Sequence, residues 1–274
     1  MERHVSTAAT ANFGTNSRTN PAQSNTTSAT EARLNAAGGD AMSGRLCERL
    51  FESLIAGDRP AARTVVGEAV SRGLGHAELI SEIFWPTYEN LDKLFRTDRI
   101  STLAHHMATR LLRVLIDQAA ARMVCSPTRG RRVLAVCGST DADELAAQMA
   151  VDLIEAGGFS VSFGGGCISN DDMLTRINES QPDIVLMFAS SPSDLPNIRQ
   201  LIDTVRAIDG CPNVQFAVGA GVFNRADGLA EEIGADLWAC SPMEMVDLLV
   251  DEPARRANST QRTVGKARKV KKAA

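Results

Sequence analysis

Aromatic residues are scarce in this 274-residue chain: nine Phe, two Trp and one Tyr make up 4% of it. A core must therefore be built from Ala, Leu, Val and Ile. Histidine is scarcer still. His4, His76, His105 and His106 are the only four, so everything after position 106 lacks an imidazole. The six cysteines (Cys47, Cys125, Cys137, Cys167, Cys211 and Cys240) include no Cys-x-x-Cys pair. That excludes the usual structural zinc spacing and fits reduced thiols rather than a disulfide frame. No apolar run approaches the roughly 20 residues that cross a bilayer. The first residues also lack the apolar segment of a secretion signal. The expected location is the cytoplasm, with no membrane partner.

Large apolar residues are nearly absent from the first stretch, 1–43, which is rich in Thr, Ser, Asn and Ala. Such a composition cannot bury enough surface to offset chain entropy, so it reads as a disordered leader. The other end, 251–274, reads as a basic disordered tail. From Pro253 onward it carries eight Lys or Arg and no acid, and subtracting that +8 from the net −4 leaves −12 on the rest. A segregated basic run is either a solvated end or a weak, salt-sensitive contact for nucleic acid or an acidic partner. No helix-turn-helix or zinc finger accompanies it.

Between these ends the pattern is first helical. Over 44–124, Leu46, Leu50, Phe51 and Leu54 share a face, and Gly57-Asp58 breaks the run. Pro60 suits the first turn of a second helix ending near Gly73-Leu74-Gly75. A third helix spans about His76 to Phe95, with a kink expected at Pro86. A fourth spans about Ser101 to Met123, with Leu103, Met107, Leu111 and Leu115 at four-residue spacing as its predicted buried stripe. Four helices with short loops predict a bundle.

The period then changes. Apolar runs at 133–137, 159–163, 183–188, 214–218 and 236–239 alternate with helical segments. This predicts a flavodoxin-like, doubly wound parallel sheet of five strands over 131–250. Thr140 can cap the first helix of this region, Leu145, Met149 and Leu153 form its stripe, and Gly157-Gly158 ends it. Ligands of such sheets sit beyond the strand C-termini, so the loop Gly138–Ala146 is the expected focus of function.

Several groups fall near that edge. Asp141, Asp143 and Glu144 at a helix N-terminus either complement the helix dipole, at roughly 0.3–1 kcal/mol each, or form a hard-metal or proton site. Three carboxylates there oppose a phosphate. Cys137, Cys167 and Cys240 end strands, as buried small residues or as thiols able to bind a metal. Gly164, Gly165 and Gly166 imply a sharp turn or a close backbone approach. They do not form the dinucleotide fingerprint. His105 and His106 point about 100° apart on their helix, so one at most faces the cleft, and His106 is preferred. Trp85 and Tyr88, one turn apart, suit either core packing or an aromatic wall of the cleft.

A helical bundle followed by this α/β pattern resembles cobalamin-binding proteins, the corrinoid carriers and B12 photoreceptors. The stretches LFESLIAGDRPAARTVVGEAVSRGLGHAELISEIFWPTYENLDKLF and GAGVFNRADGLAEEIGADLWA carry the resemblance. The family's hallmark is Asp-x-His-x-x-Gly after the first strand, its His ligating cobalt from below. Here Asp141 matches the Asp, Asp143 stands in place of the His, and Ala146 replaces the Gly. A carboxylate suits harder ions than an imidazole does. The family's Ser beside the cofactor's nucleotide tail falls near Phe188, with Ser190 and Ser191 following. Its Gly-Gly becomes Gly219-Ala220-Gly221. Phe95 aligns with the photoreceptors' Trp and Arg96 with their upper ligand. His105-His106 aligns with their Glu-His pair, and Arg96 stays protonated and cannot ligate. Phe188 and Cys240 also stand where a receiver domain of the same topology would need Asp and Lys.

The resemblance implies a non-catalytic sensor or regulatory protein that holds a tetrapyrrole, cobalamin or haem, without the lower His, or that acts through protein contacts with no cofactor. Its output would pass to a separate regulatory or signalling protein. His106 and Cys137 are the candidate metal ligands. A corrinoid carrier for methyl transfer is the alternative.

Overall fold

Leu46, Leu50 and Leu54 are wholly buried along one side of a helix over 42–56 (α1), which opens the described part of the computed structural model, residues 42–208 and 210–257. The expected leader lies almost wholly outside these residues, as does the tail beyond 257. Asp58 accepts from the Ala61 amide at 3.0 Å and starts α2 (Arg59–Ser71), with Pro60 in its first turn. Next come a short α3 (His76–Glu78), a π-helical stretch (Leu79–Phe84) and α4 (Trp85–Arg96). The kink expected at Pro86 takes the form of this π turn. A wider turn ahead of Pro86 accommodates the amide that proline lacks. Ser101 caps α5 (Thr102–Ala120) through the Ala104 amide.

The face expected to bury α5 is only half correct. Leu111 and Leu115 are buried, but Leu103 is 69% exposed and Met107 38%. Four-residue steps overshoot the helical turn by about 40° each, so the stripe drifts from the surface to the core along α5. Leu112, Ile116 and Ala108 complete the inward face.

The second half is a five-stranded parallel sheet of order β2-β1-β3-β4-β5. Its strands are β1 (Arg132–Cys137), β2 (Ser160–Phe163), β3 (Ile184–Phe188), β4 (Gln215–Gly219) and β5 (Leu237–Ala239). Each coincides with a predicted apolar run. The helix α6 (Asp141–Ala156) and α11 (Pro242–Asp251) cover one face. On the other lie α7 (Asn170–Ser180) and α8 (Leu195–Ile208), with the short α9 (Gly221–Arg225) and α10 (Leu229–Ile233). Thr140 caps α6 as expected, and Gly157 ends it. However, α6 is buried on more than one stripe. Ala147, Ala150, Val151 and Ile154 meet the sheet, while α6 also packs against α4 and α5 of the bundle.

At the N-terminal ends of the strands, Asp236 is 1% exposed. It accepts from the Phe216 amide at 2.7 Å, from Arg206 at 2.8 Å and from the Ala257 amide at 2.6 Å. The Arg255 guanidinium lies 4.5 Å from the Trp238 ring centre. The first residues of the expected tail are therefore fixed against the bottom of the sheet. Among the described residues no helix is long and apolar enough to cross a membrane.

Candidate functional site

Register decides what the strand ends present. Cys137, Phe188, Gly219 and Ala239 stand in one row across β1, β3, β4 and β5. In a parallel sheet a row in register points to one face, and the residue before each points to the other. The first row therefore faces α6 and α11. The row before it, which includes Val136 and Met187, faces α7 and α8.

The bundle sits directly on the first turn of α6. Tyr88 on α4 donates its hydroxyl to the Ala142 carbonyl at 2.9 Å, and burial raises its pKa above the ordinary phenol value. Arg113 on α5 lies 3.4 Å from Glu144. Between α4 and the loop after β4 runs a cleft of about 240 Å³. Trp85, Tyr88, Glu89, Asp92, Lys93 and Arg96 line its bundle side, and Ala146, Ser190, Ala220, Gly221, Asn224 and Arg225 the strand side. Burial, then the Asp92 charge, raises the Glu89 pKa. Arg225 donates to the Ser190 carbonyl. Sequence reasoning did not single out Glu89, Asp92, Lys93, Asn224 or Arg225. They are ordinary surface types in helical positions, and only the docking of α4 on the sheet edge brings them together.

Six of the sequence candidates meet at this cleft: Trp85, Tyr88, Ala146, Ser190, Ala220 and Gly221. Trp85 and Tyr88 stand with ring centres 5.6 Å apart. Ala220 adopts φ +81 and ψ 178, a region open in practice to glycine alone, where a side chain costs about 1–3 kcal/mol. Phe188 and Gly219 line an adjoining slot with Trp85, Ala146, Ala220 and Met245, and that slot measures only about 20 Å³. A Cβ on Gly219 would already touch Phe188 at 3.5 Å and Met245 at 3.6 Å.

Other candidates lie elsewhere. Asp141 is exposed at the start of α6, and Asp143 is buried beneath it. The Asp143 carboxylate accepts from the Thr140 hydroxyl at 2.6 Å, and its other oxygen has no partner. Ser191 caps the turn of Pro192–Asp194. Gly164 extends the β1 ladder by donating to the Ala135 carbonyl at 2.9 Å. The close approach in the glycine run belongs to Gly166, where a Cβ would run into the Gly138 carbonyl.

Phe95 stacks on His105, with ring centres 3.9 Å apart and planes 13° apart. His105 is the inward histidine, 5% exposed, with both ring nitrogens lacking a hydrogen-bond partner. Burial, then His106, lowers its pKa. His106 is exposed. Burial first, then Asp143 and Glu144, pushes the Cys137 thiol up to about 12. A thiol held protonated is a poor ligand. Among the described residues no three His, Cys, Asp or Glu side chains form a metal-binding group.

Comparison with known proteins gives the class of fold. Residues 46–119, the bundle, match the family model of the B12 binding domain. The monomethylamine corrinoid protein of Methanosarcina barkeri superposes with a TM-score of 0.67 at 13% identity, over 76% of this chain and 98% of that one. Two further structures are more distant. A cobalamin-binding protein of Desulfitobacterium hafniense has a TM-score of 0.41 at 16% identity, over 74% of this chain and 97% of that one. The methanol:cobalamin methyltransferase complex of Methanosarcina barkeri has a TM-score of 0.42 at 13% identity, over 79% and 83%. No curated protein sequence matches. This chain thus has the fold of a corrinoid protein, with a B12-binding-type cap over the sheet's C-terminal edge.

The residues beneath that cap do not fit a cobalamin held in the family manner. Asp143, which the resemblance aligns with the lower ligand, is a buried carboxylate engaged with its own helix cap, and Phe188 and Met245 fill the slot beside Gly219.

Proposed function

We propose that the protein is a regulatory or sensor protein of the cobalamin-binding-domain type. A tetrapyrrole, cobalamin or haem, would enter the cleft between α4 and the loop after β4 without a ligand from the α/β domain. Output would pass to a separate protein. The observation that carries this reading is Asp143: where an axial imidazole would stand, the chain buries a carboxylate and bonds it to Thr140. Such a site cannot tune a metal from below, as a methyl carrier of this family would require. The cap side offers a different group. His105 is a buried imidazole with free nitrogens, and Asp92, which lines the cleft, lies close enough to act on its charge.

A corrinoid carrier for methyl transfer is the second reading, supported by the superposition on the monomethylamine corrinoid protein along nearly its whole length. Absorbance after incubation with hydroxocobalamin, adenosylcobalamin, haemin or biliverdin separates the two. A haem or bilin spectrum, or a cobalamin spectrum unchanged by Asp143→Ala, supports the regulatory reading. A cobalamin spectrum together with methyl exchange to a methyltransferase supports the carrier. If no compound is taken up, regulation through protein contacts alone is what remains. His105→Ala and His106→Ala, compared by the same spectrum, test which histidine meets the ligand.

A further inference from the structure

The bundle has an opening of its own, a groove of about 270 Å³ between α2 and the C-terminal half of α5, beside the start of α3. It shares no residue with the cleft under the cap. Val66, Val70, Leu79, Leu115 and Ala119 give it an apolar wall, and Val70 is 38% exposed there. Its charged groups have one sign. Arg63 and Arg122 line it with His76, and no Asp or Glu does, in a chain of net charge −4. Among the described residues neither guanidinium has an ion pair or hydrogen bond. Elsewhere on the bundle Arg49 and Arg72 both pair with Glu68, and Arg96 pairs with Asp92.

A second observation is Gly67, in the middle of α2 and in the lining. Glycine weakens a helix interior relative to alanine, so its presence there calls for a reason. Backbone conformation is not the reason, because Gly67 has no positive φ. Crowding is not the reason either: a Cβ on Gly67 would meet no atom within 4 Å. What the missing side chain does is leave the groove open over the α2 backbone. Arg63, Val66, Gly67 and Val70 share one face of α2, and Leu115, Gln118, Ala119 and Arg122 repeat that spacing at the end of α5. Each helix therefore brings one unpaired arginine and one apolar stretch to the same opening.

We propose that this groove binds a medium-chain alkyl carboxylate. Its chain would lie over Gly67 against Val66, Val70 and Leu115, and its carboxylate would be drawn to the guanidinium groups of Arg63 and Arg122, which bond carboxylates well. Two exposed arginines alone would attract any anion, and the apolar wall selects one with a chain. Each methylene taken from water should tighten binding about fourfold. The volume is about nine water molecules' worth, a size for one small molecule. Such a site is independent of whatever the cleft under the cap holds.

The test is calorimetric titration of the full chain with octanoate, with the His76 ring signals followed by NMR. Butanoate, octan-1-ol and octylammonium serve as short-chain, uncharged and cationic comparisons. Octanoate should saturate and shift the His76 signals, and butanoate should bind at least tenfold more weakly. The double variant Arg63→Gln, Arg122→Gln should weaken octanoate about tenfold or more, the factor expected for losing a charge-assisted bond. Gly67→Leu should fill the groove, abolish binding and melt no lower than the wild type. If either variant loses the wild-type circular dichroism, the other decides. The proposal is overturned if octan-1-ol or octylammonium binds as tightly as octanoate, if butanoate equals it, if nothing saturates, if the His76 signals stay in place, or if a correctly folded variant binds as the wild type does.

Discussion

On the α6–α11 face of the sheet, the last residues of β3 and β4 are Phe188 and Gly219, and about 20 Å³ is free beside them. On the α7–α8 face, one residue earlier along β1 and β3, Val136 and Met187 border about 210 Å³. The same edge, turned over by one position, goes from filled to open. In proteins of the resembling family the filled side is where a cofactor's nucleotide tail would thread. This chain places its own aromatic ring there. The edge is filled only beside Phe188 and Gly219; space remains under the cap, about 240 Å³, and on the α7–α8 face, about 210 Å³.

Four changes would break or sharpen that contrast, beginning with the largest effect. Phe188→Ala removes the ring that fills the slot and should cost about 3–5 kcal/mol in urea unfolding. If hydroxocobalamin uptake then stays at the wild-type level, the ring is not what closes the slot. Asp152, 7% exposed on α6, bonds Gln148 through one oxygen and leaves the other unpaired. Burial, against the opposing Gln148 bond and with Asp117 and Glu155 adding to it, lifts its pKa from 3.8 to about 6. The folded state therefore prefers the protonated form. That preference is complete below about pH 3.8 and is lost as pH rises through about 6. Asp152→Asn should thus stabilise the protein at pH 7, on the order of 2 kcal/mol. Little gain is expected at pH 4, and a gain independent of pH would refute the assignment.

Ala220→Gly relieves the glycine-only backbone at the cleft and should raise stability by about 1 kcal/mol, after the extra chain entropy of glycine is subtracted. A lower melting temperature would show that the methyl group packs more usefully than its backbone strains. The smallest change is Tyr88→Phe, which deletes the bond from α4 to the Ala142 carbonyl. It should cost about 1 kcal/mol and speed amide exchange in the first turn of α6. Unchanged exchange would mean that the cap rests on Arg113 and apolar contact alone.

Much of this architecture was legible in the residues. The central strand β3 is a short unbroken apolar run, as expected of a doubly covered sheet, and Thr140 and Gly157 mark both ends of α6. The face of α5 was not legible, because a four-residue repeat fixes a direction only locally and drifts over three turns. For the same reason the choice between His105 and His106 could not be made from spacing. The two are about 100° apart, and only the packing of Phe95 shows that His105 turns inward.

Ala257 leaves the sheet at Asp236, on the side where the strands begin, whereas the cavities of the strand edge lie where they finish. Strands of this length set the two poles about 15 Å apart or more. Ala257, the last described residue, is thereby anchored at the pole of the sheet opposite the helical cap.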